Sequence, residues 1–132
     1  MNYVLENWHK VVADLDAGRL DQLLADDVVF HSPVVHTPQA GKAITTLYLK
    51  GAMQVLNAPG HFRYLREVVD GNQAVLEFET LIGDVTVNGV DMIRWNDKGQ
   101  IVDFKVMIRP LKAVHAIHQA MGAMLESLKV SG

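Results

Sequence analysis

The stretch that most constrains this chain is Val85 to Leu111, VTVNGVDMIRWNDKGQIVDFKVMIRPL, which reads as one long antiparallel hairpin with an acid on its apolar side. Asn96-Asp97-Lys98-Gly99 has the composition of a tight turn, because Asn and Asp close local hydrogen bonds and Gly accepts positive φ. On the second strand, alternation places Val102, Phe104, Val106 and Ile108 on the inner face and Asp103, Lys105, Met107 and Arg109 on the other. On the first, Asp91 shares a face with Ile93 and Trp95, so Asp91 is expected inside. A carboxylate in an apolar setting must be paired or else keep its proton. Asp91 is therefore the expected polar anchor of a pocket, as acid, base or ligand-orienting group.

At 132 residues and 49% hydrophobic content, the chain is the size of one domain, 1–132, with enough apolar side chains for a real core. Twelve basic residues against fifteen acidic give a net charge of -3 with no basic block, which argues against a nucleic-acid partner. The absence of cysteine excludes disulfides, thiolate metal sites and cysteine nucleophiles, and fits a reducing compartment. The start, MNYVLENWHK, lacks the basic and apolar pattern of a signal peptide, and no apolar run approaches a membrane span. A cytoplasmic protein with no membrane partner is the expectation.

Leu5, Trp8, Val12 and Leu15 recur at helical steps and predict a first helix that stops at Asp16-Ala17-Gly18, with Gly18 as the terminator. A short second helix buries Leu20, Leu23 and Leu24 and leads through Ala25-Asp26-Asp27 to a brief strand, Val28 to His31, ended by Ser32-Pro33. Gly41 to Leu56 predicts a third helix, broken by Asn57-Ala58-Pro59-Gly60. Strands follow over His61–Val69 and Gln73–Ile82, joined at Asp70-Gly71-Asn72, and then the hairpin. After Pro110 the period changes, and Leu111, Val114, Ile117, Met121, Met124 and Leu128 predict a closing helix. Helices followed by consecutive antiparallel strands make an α+β order in which helices cover one face of a curved sheet.

That order, together with the phrases DLDAGRLDQLLADDVVFHSP and GVDMIRWNDKGQIVDFKVMIRP and a Gly-Lys opening to the third helix, resembles the nuclear transport factor 2-like superfamily, and within it the SnoaL-like proteins. The resemblance implies a cone: N-terminal helices on a curved, mainly antiparallel sheet, a deep pocket between them, and here an added C-terminal helix. It leaves the chemistry open, since the superfamily holds isomerases, polyketide cyclases, epoxide hydrolases, dehydratases and binding proteins. Laid on ketosteroid isomerase, the general-base aspartate falls on Ser32, the oxyanion-hole tyrosine of the first helix on Val11, and the protonated oxyanion-hole aspartate on Asp91. The resemblance thus carries over a hydrogen-bond-donating acid, but neither the base nor the tyrosine, which argues against steroid isomerisation.

Tyr64 and Tyr48 are candidate partners of Asp91, and Phe62, Phe78, Thr80, Ile93, Phe104, Val106 and Ile108 are the expected walls of an apolar ligand site. Ser32 and His36 stand where a mouth or catalytic group would sit. His31 is expected to point away by alternation, and His115 and His118 share a helix face without a third metal ligand in sequence. No G-x-S-x-G, phosphate loop or cofactor motif is present, so no cofactor or metal is implied. The outer set Val75, Glu77, Glu79 and Leu81, beside Met92, Arg94, Lys105, Met107 and Arg109, suits a homodimer face, with Glu77 and Glu79 as candidate partners of Arg94 and Lys105. Met121 and Met124 would pack across the helices or form a soft lid. The functional expectation is an acid/base isomerase, cyclase or hydratase acting on a small apolar carbonyl compound. A non-catalytic module for a small ligand or a protein partner is the alternative.

Overall fold

The computed structural model describes residues 3–57 and 61–131, with side chains described through residue 127. Among these residues the chain forms helices α1 (Tyr3–Asp14), α2 (Ala17–Leu23), α3 (Lys42–Asn57) and α4 (Leu111–Ser131). The strands are β1 (Leu24–His31), β2 (Gln39–Ala40), β3 (Arg63–Asp70), β4 (Gln73–Ile82), β5 (Val85–Trp95) and β6 (Ile101–Arg109). They form a single sheet in the order β2-β1-β6-β5-β4-β3, antiparallel throughout except for the parallel β1–β6 pair. This is the α+β architecture expected, with helices on one sheet face and a C-terminal helix added.

The core follows the alternation. Leu76, Ile93, Ile101 and Phe104 point to the helices and cluster with Val4, Leu5, Trp8, Leu20 and Leu49, while Phe78 packs with Val87, Ala113 and Ile117 in a second cluster. Register shifts interrupt the ladders at Tyr64/Arg66, Arg94/Trp95 and Leu24/Val29, and such bulges bend a strand and increase its twist. The bulge after Arg94 corrects one expectation. Trp95 pairs with Ile101, not Val102, so Ile101 takes the core position at 0% exposure and Val102 is only partly buried.

Gly18 does not end the first helix. Asp16 is instead the N-cap of α2, its side chain accepting from the Arg19 backbone N–H at 3.0 Å, and Gly18 lies inside that helix. The chain turns at Leu15, which adopts φ 53 and is exposed rather than part of the apolar stripe. β1 begins at Leu24, earlier than the Val28 expected, because its bulge hides the strand period. β2 is too short to carry any period. The Ala58-Pro59-Gly60 break and the Leu128 side chain lie outside the described residues. No described helix is long and apolar enough to cross a membrane.

On the outer face Glu77 and Glu79 pair with Arg66 and Arg63 of β3, at 2.6 and 2.8 Å, rather than with Arg94 or Lys105. The cause is register: Glu79 faces Arg63 and Glu77 faces Arg66 directly, whereas Met92 stands opposite Lys105 and Asp103 opposite Arg94.

Candidate functional site

A cavity of about 220 Å³ opens between the inner sheet face and α1, α3 and α4. Its floor is set by two neighbouring rows of the sheet. In one, Tyr64, Phe78, Gly89 and Ile108 lie opposite one another across β3–β6; in the next, Leu76, Asp91 and Val106 do. Asp91 and Gly89 are two residues apart on β5 and so share the inner face.

Gly89 is what lets this floor close. A β-carbon there would lie 2.6 Å from Phe78 Cζ, 2.7 Å from the Met107 carbonyl oxygen and 2.8 Å from Ile108 Cδ1. The missing side chain therefore lets Phe78 and Ile108 lie flat beside Asp91. Above them Phe62 stacks on Phe78, with centroids 5.2 Å apart and planes at 27°, and Tyr64 meets Phe62 edge-on at 5.0 Å. Such offset and edge-to-face contacts favour a rigid wall.

Asp91 is buried, with 6% of its surface exposed. Its one described hydrogen bond is from Tyr64, whose hydroxyl donates to Oδ2 at 2.8 Å. The Trp8 indole Nε1–H in turn donates to the Tyr64 oxygen at 2.9 Å. Burial pushes the Asp91 carboxyl up from 3.8 to about 7, against the smaller downward pull of the Tyr64 hydrogen bond. Burial, then the nearby Asp91 charge, raises Tyr64 well above the usual phenol value. Tyr64 is thus a permanent donor, and Asp91 spends much of its time near neutrality as a protonated acid.

Of the residues singled out in the sequence, Ser32, Tyr48, Phe62, Tyr64, Phe78, Phe104, Val106 and Ile108 line the cavity with Asp91. Tyr48, however, stacks on Phe30 at 5.4 Å instead of reaching Asp91. Ser32 Oγ accepts from the Val34 backbone N–H at 3.1 Å and so shapes its own loop. Thr80, Ile93 and His36 are not part of the wall. Thr80 turns its hydroxyl to the Leu56 carbonyl at 2.9 Å, Ile93 packs in the core beneath α1, and His36 is exposed on its loop. His31 points away, bonded to Asp103 at 2.9 Å.

Sequence reasoning missed Trp8, Val12, the apolar loop Pro33–Val35 and, on α4, the places of Ile117, His118 and Leu125 in the wall; for that helix it expected Met121 and Met124 to pack across the helices or form a lid. Ile117, His118, Met121 and Leu125 of that helix close one side of the cavity, with exposed His118 at its edge. The approach is close because Gly51 of α3 faces Met121, Met124 and Leu125, within 3.6 Å of where its β-carbon would be. Trp8 carried a usable signal, since a buried indole N–H requires an acceptor. Its partner lies 56 residues away and could not be read from spacing. Among the described residues, no three His, Asp or Glu side chains come together as a metal site.

The model for the SnoaL-like domain matches residues 5–104. Among solved structures, a steroid delta-isomerase from Pseudomonas aeruginosa is 38% identical, with a TM-score of 0.90 over 96% of this chain and 92% of that one. An uncharacterised bacterial protein with a cystatin-like fold from Silicibacter pomeroyi is 35% identical, with a TM-score of 0.85 over 93% and 85% of the two chains. An NTF2-like protein of unknown function from Mesorhizobium loti, at 21% identity and a TM-score of 0.70 over 81% and 88%, shares the fold. No curated protein matches the chain.

Proposed function

The chain belongs to the SnoaL-like domain family, and from that premise we propose that it binds a small, largely apolar carbonyl compound, with Asp91 donating a hydrogen bond to the carbonyl oxygen. The observation that carries this reading is a single buried carboxyl, pushed up to about 7 by burial so that a large share keeps its proton at pH 7, at the floor of an aromatic and aliphatic cavity. In such a setting a neutral acid stabilises negative charge as it develops on a carbonyl oxygen, and a preorganised donor of this kind is worth about 10²–10³ in rate. Double-bond isomerisation, aldol-type cyclisation and conjugate hydration of carbonyl compounds all develop negative charge on the carbonyl oxygen. The 38% identical steroid delta-isomerase is consistent with such a substrate class.

The family base position holds Ser32, and among the described lining residues Asp91 is the one carboxylate. This favours a second reading, in which the same hydrogen bond only holds the ligand and no proton is abstracted. Both readings share the ligand class. The outer sheet face, with Val75 and Met107 exposed, is proposed as the contact of a homodimer.

Native mass spectrometry of freshly purified protein tests the ligand class. A co-purified apolar molecule bearing a ketone or enol oxygen is expected. A charged or oxygen-free ligand overturns the reading. Titration with acetonaphthone, which can only accept a hydrogen bond, tests Asp91 itself: Asp91→Leu, which keeps much of the volume and has no donor, is expected to weaken binding about tenfold. Equal binding by the two proteins removes Asp91 from the site.

A further inference from the structure

We infer that Trp8 is a positioning residue: it fixes the direction of the Trp8–Tyr64–Asp91 hydrogen-bond chain, which places the Asp91 proton on Oδ1, facing the cavity, and so restricts the site to ligands that present an acceptor oxygen. The inference rests on the carbonyl-binding reading above and adds the residue that sets its polarity.

An indole N–H can only donate. At 2.9 Å from the Tyr64 oxygen it occupies the acceptor side of that hydroxyl. A phenol has one hydrogen, which prefers the ring plane, so with Trp8 on one side it points to the other, where Asp91 Oδ2 lies at 2.8 Å. Oδ2 is therefore committed as an acceptor. A neutral carboxyl must then carry its proton on Oδ1. That oxygen has no described protein partner and is not among the sealed, unpartnered polar atoms, so it opens on the cavity that Asp91 lines.

The rings are held so that the chain cannot easily reverse. Trp8 is 3% exposed and packs against Phe104 with centroids 4.9 Å apart, while Tyr64 is gripped by Phe62 on one side and His9 on the other, at 5.0 and 5.3 Å. Without the indole donor, the Tyr64 hydroxyl could turn and accept the Asp91 proton itself. The acid would then be satisfied internally, and the ligand would meet a lone pair instead of a hydrogen.

A double-mutant cycle separates this role from packing. Acetonaphthone affinity is measured by calorimetry about one unit below the Asp91 value of about 7, so that the acid is neutral. Trp8→Phe, which keeps an aromatic ring against Phe104, is expected to lose about tenfold in affinity, the scale of one competing hydrogen bond. Adding Tyr64→Phe removes the internal acceptor, and affinity is expected to return to that of Tyr64→Phe alone. A purely structural Trp8 predicts losses that add, and additive losses overturn the inference. If Trp8→Phe fails to fold, site-specific benzothienylalanine at position 8 removes the N–H and keeps the ring shape; unchanged affinity there also overturns it. Weakened binding by Asp91→Leu with unchanged binding by both position-8 variants refutes Trp8's role alone. Absence of acetonaphthone binding by the unmodified protein refutes the carbonyl-site reading beneath it.

Discussion

Asp91→Asn should make the protein more stable at neutral pH, and the gain should disappear in acid. Between an ordinary aspartate at 3.8 and the buried Asp91 at about 7 lie about three pH units. At about 1.36 kcal/mol per unit, ionising Asp91 in the folded state costs about 4 kcal/mol. From about pH 4 to about pH 7 the unfolded chain has released this proton while the folded chain still holds it. The folded state therefore binds more protons, and stability falls as pH rises through that window, then levels off above it. Asparagine has nearly the same shape, still accepts the Tyr64 hydrogen bond through its amide oxygen, and does not titrate. Other groups titrate alike in both proteins and cancel in the difference. Denaturant unfolding at a series of pH values should show the variant gaining about 4 kcal/mol on the parent between pH 4 and pH 8, or about 10–15 °C in Tm for a chain of this size. A difference that stays constant within about 1 kcal/mol across the range would refute the burial argument.

Gly89→Ala forces a β-carbon onto a backbone oxygen that cannot move aside. It should lower stability by about 1–3 kcal/mol and weaken acetonaphthone binding as Phe78 is pushed into the cavity; unchanged unfolding and affinity would show the floor to be compliant. Ser32 lies one step beyond the Phe30–Phe104 and His31–Lys105 pairs, in line with Val106 and Asp91 and about two strand spacings, or roughly 9.6 Å, from the acid. Ser32→Asp should therefore supply a base across the ligand from Asp91 and raise the conversion of a β,γ-unsaturated steroid ketone to its conjugated isomer by about 10²-fold, followed by ultraviolet absorbance; a folded variant without gain would mean that the ketone does not lie between them. Sedimentation should show a dimer at micromolar concentration, and Met107→Glu should dissociate it; a parent protein that sediments as a monomer would rule out the outer-face interface.

The parts of this molecule that were legible in the chain are those governed by short periods. β4 and the β5–β6 hairpin announce themselves because Phe78 and Thr80, then Asp91, Ile93 and Trp95, then Phe104, Val106 and Ile108 fall on every second residue of their strands, and that parity alone places Asp91 inside. Parity fails where a bulge intervenes, which is why Ile101 rather than Val102 enters the core. In sequence Asp16 looks like the end of one helix, whereas its side chain caps the start of the next, a distinction that rests on the positive φ of Leu15. The walls of the cavity were partly legible as inward aromatics. For α4 the apolar stripe with Met121 and Met124 is legible, but not the closeness of its approach to α3, which depends on Gly51. Thr80 and Ile93 share the parity of the wall residues yet miss the cavity, since parity gives a face and not a depth. Of the Trp8–Tyr64–Asp91 chain, Tyr64 is an expected partner of Asp91, but no local rule brings Trp8 from the first helix onto them.

The most direct test of the account is the titration of the Asp91 carboxyl by carbon-13 NMR, identified by its loss in Asp91→Asn, with and without acetonaphthone. The account predicts a midpoint of about 7 in the free protein, rising when the ketone binds, because an acceptor-only ligand favours the protonated acid. A midpoint near the ordinary 3.8, or one that the ligand leaves unmoved, would contradict it.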